Sequence, residues 1–515
     1  MGLAKTIARN SFWTLLDDLL GFISGIGCSV AVARVLGPAK LGYYNYVMWI
    51  AAMAGWIAAF GIPAATRRYA GEAYGRGDYA QARLIVRITF RIQAWFAVVA
   101  TIIGAAIVLF VVPRGHRDYA TLAVLSIFPY LLMSIPSAAI TATEDVLPNV
   151  KASVFSTSTN LVGVVLTLVL GWDLVGLAAT ILAARTIDWI VRHIFFRRIY
   201  AALPIEEGVV QLDKETRRRM IRFCWQATAL TALQIVVWER SEVLFLEHYA
   251  TILDIAFYSV AFNISQNLLL LPRVASMATA ATLNVQQGRD PSETVPVAIG
   301  TTRVLAVVCT PACFGLAALG GPLIHVMYGN RYLAAIPLLI LLASTTIGKA
   351  LQLPARQLLM ATEHQGSLVV WSVVLAVLNL GLDFLLVPAK GAMGAAIAMS
   401  TVQVLGVISV WWIVARIFRV SLPLAKFVRL LVASAIMGGA VYGLAVHLPP
   451  LVALLVGAPV GVVLLVILLR VLGCLDPRDE APLKAIQRAL PVRLRGPYLY
   501  ALRFLYPPRA TESGA

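Results

Sequence analysis

Ionisable side chains lie inside a long apolar stretch at residues 238–247, which reads WERSEVLFLE. The four charged groups are Glu239, Arg240, Glu242 and Glu247. Each charge costs roughly 2.5 to 3.5 kcal/mol at the centre of a membrane helix, so such groups usually face a bundle interior or a watery cavity. On one uninterrupted helix at about 100° per residue they share one side. The pattern therefore predicts the acidic wall of a cavity.

Two other apolar segments carry stripes of amides, hydroxyls and cations at helical steps of three and four. The first stripe is Asn263, Gln266, Asn267 and Arg273, and the second is Thr345, Lys349, Gln352 and Arg356. These cations and Arg192 fall toward one membrane face, with Arg185 near the middle, whereas the acidic stretch falls toward the other face. Arginine suits bidentate contacts to phosphate, so a basic half would attract an anionic head group. The predicted substrate-cavity residues are Arg185, Arg240, Asn263, Gln266, Asn267, Arg273, Lys349, Gln352 and Arg356. Helix packing is the competing interpretation of both stripes.

Buried carboxylates are the candidates for coupling to a proton or sodium gradient, and they are Asp17, Glu239 and Glu242. The sequence has no phosphate-cradling loop of the Gly-x-x-x-x-Gly-Lys-Ser/Thr type, so ATP is not expected as the energy source. The five cysteines show no metal-type spacing, and we expect neither a cofactor nor a metal site. Arg185 and Asp188, three residues apart, are alternatively a self-satisfied ion pair.

The composition indicates that membrane-spanning helices position these groups. Sixty per cent of the 515 residues are hydrophobic and 13% are charged, whereas soluble domains carry about 25% charged residues. A span needs roughly 20 apolar residues, and such segments recur along the chain. The predicted fold is therefore an all-α integral membrane protein with about fourteen transmembrane helices, centred near residues 22, 53, 99, 131, 161, 184, 234, 268, 308, 347, 377, 404, 436 and 461.

Charge asymmetry between the loops predicts the orientation. The even-numbered gaps between spans and the C-terminal tail hold most of the 42 Lys and Arg residues. The positive-inside rule then places both termini in the cytoplasm. The net charge of +17 is explained by topology and by contact with anionic lipids, without a nucleic-acid partner. The tail interleaves basic and apolar residues, which predicts a segment lying on the inner membrane surface.

Internal similarity predicts two parallel repeats of six helices. NSFWTLLDD resembles RFCWQATAL, with Trp13 matching Trp225, and AATRRYAGEAYGRGD resembles AATLNVQQGRD at nearly the same offset. In transporters with parallel repeats, the substrate site commonly lies between the halves near the membrane midplane. The predicted domains are an N-terminal lobe at 1–200, a basic linker at 201–222, a C-terminal lobe at 223–420, two added helices at 421–473 and a basic tail at 474–515.

The sequence resembles the polysaccharide-unit flippases of the multidrug/oligosaccharidyl-lipid/polysaccharide exporter superfamily. The resemblance depends on ARVLGPAKLGYYNYV, FYSVAFNISQNLLLLP, GPLIHVMYGNRYLAAIPLLILLAS and NLGLDFLLVPAKGAMGAAIAMS, taken in order and spacing. It implies a V-shaped, two-lobed transporter that moves a lipid-(pyro)phosphate-linked oligosaccharide from the inner to the outer leaflet of the cytoplasmic membrane by alternating access. It also implies a place in cell-surface polysaccharide biosynthesis and contact with other polysaccharide assembly proteins.

Two alternatives remain open. A cation-coupled multidrug exporter of the same superfamily would bind organic cations, for which a cavity with Lys349 and Arg356 is poorly suited. A membrane-embedded glycosyltransferase or polymerase of the same pathway would need a sizeable extracytoplasmic loop, and the outer loops here are short. We therefore expect a transporter and not an enzyme.

Overall fold

The structure is a computed structural model, and it describes residues 3–112, 114–204, 212–238, 241–420 and 424–474 together with positions 496, 499 and 505. Its contacts divide the chain into two units, Met1–Val243 and Leu244–Ala515. In the described ranges every long element is an α-helix. The helices of the first unit are α1 (Leu3–Ala58), α2 (Ile62–Gly75), α3 (Tyr79–Val111), α4 (Arg117–Leu125), α5 (Ile127–Ala142), α6 (Leu147–Leu170), α7 (Asp173–Ala201) and α8 (Lys214–Trp238).

After the short helix α9 (Glu242–Tyr249), which begins at the unit boundary, the second unit continues with eight further α-helices in its described residues. They are α10 (Ile252–Gln266), α11 (Leu270–Arg289), α12 (Thr294–Tyr328), α13 (Ile336–Ala361), α14 (Gln365–Lys390), α15 (Ala392–Phe418), α16 (Leu424–Val446) and α17 (Pro450–Val471).

The helices confirm the predicted membrane fold. Among the described residues, 12 helical segments are long and apolar enough to cross a membrane. One of them, Leu16–Ala58, contains two predicted spans, because Gly37 has φ 78° and Pro38 lacks the N–H that would continue the hydrogen-bond ladder. Helix α8 occupies the position of the seventh predicted span, and its basic first turns lower its mean hydropathy. The chain is thus a multi-pass membrane protein with about fourteen spans.

The core of the first unit forms where α2, α3, α5 and α7 meet. Small side chains fill it, including Ala65, Ala70 and Ala73 on α2 and Ala139 on α5, all of which are fully buried. Alanines leave little side-chain volume between backbones, and close approach without bulky side chains is how membrane helices gain packing contacts. Met220 of α8 joins this core.

In the second unit, α13 and α15 approach each other closely at Gly348. A Cβ atom added to Gly348 would lie 2.5 Å from the backbone oxygen of Gln403. Only glycine allows this approach, as in other small-residue contacts between membrane helices. The Thr345 hydroxyl donates to Ser400 Oγ at 3.0 Å one turn before this contact, and the Trp411 indole donates to the Leu351 carbonyl at 2.9 Å one turn after it.

The proposed internal repeat has a structural counterpart at two aspartates. Asp78 and Asp290 are separated by the same 212 residues as Trp13 and Trp225. Asp78 accepts a hydrogen bond from the Gln81 backbone N–H where α3 begins, at 2.8 Å. Asp290 accepts one from the Ser292 backbone N–H at 3.1 Å, directly before α12. Asp78 therefore caps α3 directly, whereas Asp290 caps the 3-10 turn Pro291–Glu293 that precedes α12, at a matching point of the sequence repeat.

The interpretation of residues 238–247 as one continuous, one-sided helix is wrong. Helix α8 ends at Trp238, Ser241 lies in a turn, and α9 begins at Glu242. Glu242 is 1% exposed whereas Glu247 of the same short helix is exposed, so these two acidic groups do not share a face. Glu239 and Arg240 lie outside the described residues.

The predicted domain boundaries stay a prediction. The contacts place the unit boundary at 243/244, whereas the repeat assigns the seventh span to the second lobe. Part of the predicted linker is helical, because α8 begins at Lys214. The predicted surface segment of the tail falls almost wholly outside the described residues.

Candidate functional site

The two polar stripes predicted for the second unit meet through a side-chain hydrogen bond. The Lys349 ammonium of α13 donates to Gln266 Oε1 at 2.9 Å. Gln266 ends α10, and a 3-10 turn at Asn267–Leu269 separates it from α11. Short 3-10 segments inside a longer helix often mark functional hinges. Lys349 of the α13 stripe therefore contacts the neutral Gln266 amide of the other stripe, at the point where α10 ends.

A second contact fixes the register of these helices. The Gln357 amide of α13 donates to Ser276 Oγ of α11 at 3.2 Å. The two linked pairs are offset by 83 and 81 residues, so the helices run parallel along this stretch. This register places Arg273 and Arg356 at nearly the same level, about 10 Å along the helix from Lys349 at 1.5 Å per residue. Two predicted cavity cations therefore share one level, and a third lies two turns away.

Arg356 differs from the other charged groups of the second unit in its surroundings. Its side chain is half-buried within the span Asn330–Ala361. In the described part of the chain no hydrogen bond or ion pair joins its guanidinium to another residue. A buried charge is normally paired, because a membrane interior does not solvate it. The five N–H donors of Arg356 are therefore available to an anion. Arg273 is exposed.

Two buried amides lie on α13 and on the neighbouring helix α15. Gln352 is 1% exposed and Gln403 of α15 is fully buried. Among the described residues, neither the Gln352 side-chain oxygen nor either polar atom of the Gln403 side chain has a hydrogen-bond partner. Gln352 was predicted from its stripe, whereas Gln403 was not. In the other predicted stripe, Asn263 is exposed on α10 and Asn267 is half-buried.

Two fully buried polar residues on α14, Asn379 and Asp383, were missed by the sequence analysis. They lie four residues apart on the buried face that also contains Leu375 and Val387. An ionisable residue buried within a membrane span is a candidate functional residue. The signal was present in the sequence, because Asp383 stands inside the quoted segment NLGLDFLLVPAKG.

In the first unit, Arg185 is held by neighbouring helices. Its guanidinium donates to Ser126 Oγ at 2.9 Å and lies 5.1 Å from the centre of the Tyr130 ring. The alternative ion pair between Arg185 and Asp188 is therefore not formed. Arg185 is engaged in a hydrogen bond and a cation–π contact, each of which stabilises its charge within the span.

Asp188 pairs with Arg192 instead, in a network that sequence reasoning did not identify. Arg192 Nε donates to Asp188 Oδ1 at 2.6 Å, and both residues are 7% exposed. The remaining guanidinium N–H groups of Arg192 donate to side chains on α5 and α6, at 3.2 Å to Ser137, 2.9 Å to Asn149 and 2.9 Å to Ser153.

The network extends to the first helix. Asp17, a predicted ion-coupling residue, lies close enough to Ser153, Arg192 and Asp188 for them to act on its charge. Asp17 is half-buried. Four helices of the first unit, α1, α5, α6 and α7, thus converge on one buried group of alternating charges and hydroxyls. Such a network is stable only while every member is satisfied.

The sequence model of a family described as "Polysaccharide biosynthesis protein" matches residues 7–283. No curated protein sequence matches the chain. Among solved structures, the lipid II flippase MurJ in an inward closed conformation is similar, with a TM-score of 0.64 and 14% identity over 90% of this chain and 99% of that chain.

Two transporters of the MOP superfamily are also similar. An inward-facing multidrug resistance transporter of the MATE family has a TM-score of 0.65 and 15% identity, over 78% of this chain and 95% of that chain. A transporter from Pyrococcus furiosus, described as having a binding pocket of reversed polarity that suggests a different function, has a TM-score of 0.59 and 14% identity, over 79% and 94%. At these identities the similarity establishes the fold.

Proposed function

The chain belongs to the family of polysaccharide biosynthesis proteins, and from that premise we propose that it flips a lipid-(pyro)phosphate-linked oligosaccharide from the cytoplasmic to the outer leaflet of the cytoplasmic membrane. The MurJ structure supports a lipid-linked substrate, because that protein is named as a flippase of lipid II and its fold extends over nearly all of this chain. In this proposal both termini are cytoplasmic, the protein acts as a transporter without enzymatic activity, and it delivers its substrate to other polysaccharide assembly proteins.

The observation that carries the proposal is the half-buried Arg356 guanidinium without a partner among the described residues. A pyrophosphate offers several negative oxygens, and arginine binds phosphate through two parallel N–H···O bonds. Lys349, two turns before Arg356 on α13, adds a second cation. Its ammonium donates to the neutral Gln266 amide oxygen, and a charged phosphate oxygen is a stronger acceptor for the same donor.

The hydroxyl-rich sugar would contact the amides near these cations, of which Asn263, Gln266, Asn267 and Gln352 are the predicted ones. Amides donate and accept at once, which suits sugar hydroxyls. Arg273 at the level of Arg356 would extend the phosphate site. Arg185, which is already satisfied by Ser126 and Tyr130, would contribute to binding only after exchanging those partners.

Coupling to a proton or sodium gradient would involve a buried carboxylate. Asp17 and Glu242 were predicted for this role, and Glu239 lies outside the described residues. Asp383 is the strongest addition, because it is fully buried within a membrane span. A carboxylate in such a place gains much from binding a cation or a proton, and its occupancy can differ between conformations.

The multidrug exporter remains the second candidate, favoured by the similarity of the MATE transporter structure. Organic cations would be repelled by the cations at Lys349 and Arg356, so a cationic substrate would need a different part of the molecule. The two candidates differ in the charge of the substrate, which an experiment can measure.

The test uses complementation of a bacterial strain that lacks its own polysaccharide flippase. The chain should restore surface polysaccharide, and the double variant K349Q/R356Q should lose most of that activity at unchanged protein level. The matched control is R87Q/R91Q, which removes two exposed cations from α3. Unchanged export in K349Q/R356Q would remove these residues from the proposal. Resistance to cationic drugs without restored polysaccharide would support the exporter instead.

A further inference from the structure

An exposed basic depression lies on the first two turns of α8. It has a volume of about 440 Å³ and is lined by Lys214, Arg217, Arg218, Ile221 and Arg222. Among the described residues, no carboxylate lines it. The nearest acidic residues in the sequence, Asp213 and Glu215, lie outside the lining, and the Asp213 carboxylate accepts a hydrogen bond from the Glu215 backbone N–H at 3.2 Å. Four cations thus surround one small space.

The rotation of α8 is fixed by contacts on its other face. Arg219 approaches the Glu72 carboxylate of α2 at 3.8 Å, and Arg68 pairs with the same carboxylate at 3.2 Å. The Arg68 guanidinium also lies 5.1 Å from the Phe223 ring centre, and Met220 is buried in the core of the unit. Helical geometry places the depression on the side opposite Met220 and Phe223. The arginine engaged by α2 is therefore distinct from those that line the depression.

Two exposed apolar side chains indicate the level of the depression relative to the membrane. Ile221 is 51% exposed in the middle of the cations, and Trp225, one turn further on the same face, is 60% exposed. Tryptophan is enriched at the level of lipid head groups. Below Trp225 the helix becomes apolar, as a membrane span does. This order of residues along α8 places the cations at the level of lipid phosphates, where Ile221 is exposed beside them and Trp225 packs edge-on against Phe60 with 4.8 Å between the ring centres.

We propose that this depression binds the phosphate group of a membrane lipid. Three arginines and one lysine within nine residues can surround one phosphate with charge-assisted hydrogen bonds, while Ile221 contacts the apolar part of the same lipid. The ligand chemistry is a lipid-borne phosphate, supplied either by an anionic phospholipid or by the pyrophosphate of a polyprenyl lipid. The proposal needs only that the chain lies in a membrane, so it does not depend on which substrate is transported.

The test is native mass spectrometry of the full-length protein in detergent, titrated separately with phosphatidylglycerol, phosphatidylcholine and a polyprenyl pyrophosphate. The site variant is R217Q/R218Q/R222Q, which leaves the Arg219–Glu72–Arg68 contacts in place. The matched control is R67Q/R87Q/R91Q, which removes three exposed arginines elsewhere in the same unit. We expect the site variant to bind at least one of the two anionic lipids about tenfold more weakly and the control to bind them within about twofold of the parent.

The pattern of loss identifies the source of the phosphate. Loss confined to phosphatidylglycerol indicates a resident phospholipid, and a larger loss for polyprenyl pyrophosphate indicates a docking point for the transported lipid. If both variants bound the lipids equally more weakly than the parent, the effect would come from net charge and the proposal would be overturned. Undiminished lipid binding by the site variant would also overturn it. Polysaccharide export by the same variants is measured in parallel. Lipid binding then tests this site, and export tests the proposed transport function.

Discussion

The Lys349 ammonium donates a 2.9 Å hydrogen bond to Gln266 Oε1, and through it α13 is tied to the end of α10. Gln266 is a neutral partner, and a neutral amide oxygen can be displaced by a charged acceptor such as a phosphate. The arrangement therefore favours a lysine that changes partners.

Gln266→Glu should block that exchange. A carboxylate at this position would form an ion pair with Lys349 and compete with the substrate phosphate, so we expect export to fall about tenfold or more at unchanged protein level. Gln266→Ala, which leaves Lys349 without this acceptor, should retain at least half of the export. The measurement is surface polysaccharide in the complemented strain. Equal loss in both variants would show that Gln266 acts by packing and not by holding the lysine.

The sequence predicted this contact only in part. The steps of three and four residues placed Gln266 and Lys349 on polar stripes, since helical periodicity is local. The end of α10 at Gln266 was not foreseen, because Asn267 and its neighbours are compatible with a continuing helix. The same limit explains the error at residues 238–247, where a helical wheel was drawn across the turn at Ser241.

Partner choice was harder to predict than helix position. Asp188 has an arginine three residues before it and another four residues after it, and both lie near its face of α7. Arg192 forms the pair because Asn149 and Ser153 of α6 satisfy its other donors, and Arg185 is drawn away by Ser126. These partners are distant in sequence, so no local pattern distinguishes the two pairings. By contrast, Gly37 and Pro38 are adjacent, and the separation of the first two spans was predicted correctly.

Asp383→Asn should separate transport from its energy source. The amide keeps the size of the side chain but removes the charge that would bind a proton or a cation. In reconstituted vesicles we expect gradient-driven accumulation of the lipid-linked sugar on one side to be lost, while equilibration between leaflets continues. Asn379→Asp, one turn away on the same buried face, adds a charge and serves as the opposite change. Full gradient-driven transport by D383N would exclude Asp383 from coupling.

Gly348→Ala should destabilise the second unit. The added Cβ would stand 2.5 Å from the Gln403 backbone oxygen, which cannot rotate away as a flexible side chain would. Overpacking of this kind costs typically about 1–3 kcal/mol. The measurement is the thermal unfolding of the purified protein in detergent. Gly21→Ala is the matched control, because nothing lies within 4 Å of the Cβ position at Gly21, and a similar loss in both variants would contradict the close contact.

The Asp188–Arg192 pair should show strong coupling in a double-mutant cycle. Breaking a buried ion pair by removing one partner costs about 3–5 kcal/mol, because the other charge is left uncompensated. We therefore expect D188N and R192Q each to lower the unfolding temperature strongly, and D188N/R192Q to lower it by less than the sum of the two. Arg192 also loses its bonds to Ser137, Asn149 and Ser153, so R192Q should be the more damaging single change.

The control cycle uses Arg68 and Glu72, which have the same spacing of four residues at a distance of 3.2 Å but are exposed. Exposed pairs of this type contribute about 0.3–0.5 kcal/mol, so R68Q and E72Q should each lower the unfolding temperature less than D188N or R192Q and should show a much smaller coupling. Additive effects at Asp188 and Arg192 would contradict the buried pair. Strong coupling there with retained transport in D188N/R192Q would assign the network to stability. Loss of transport in a stable double variant would connect the network to Asp17, the candidate coupling residue on α1.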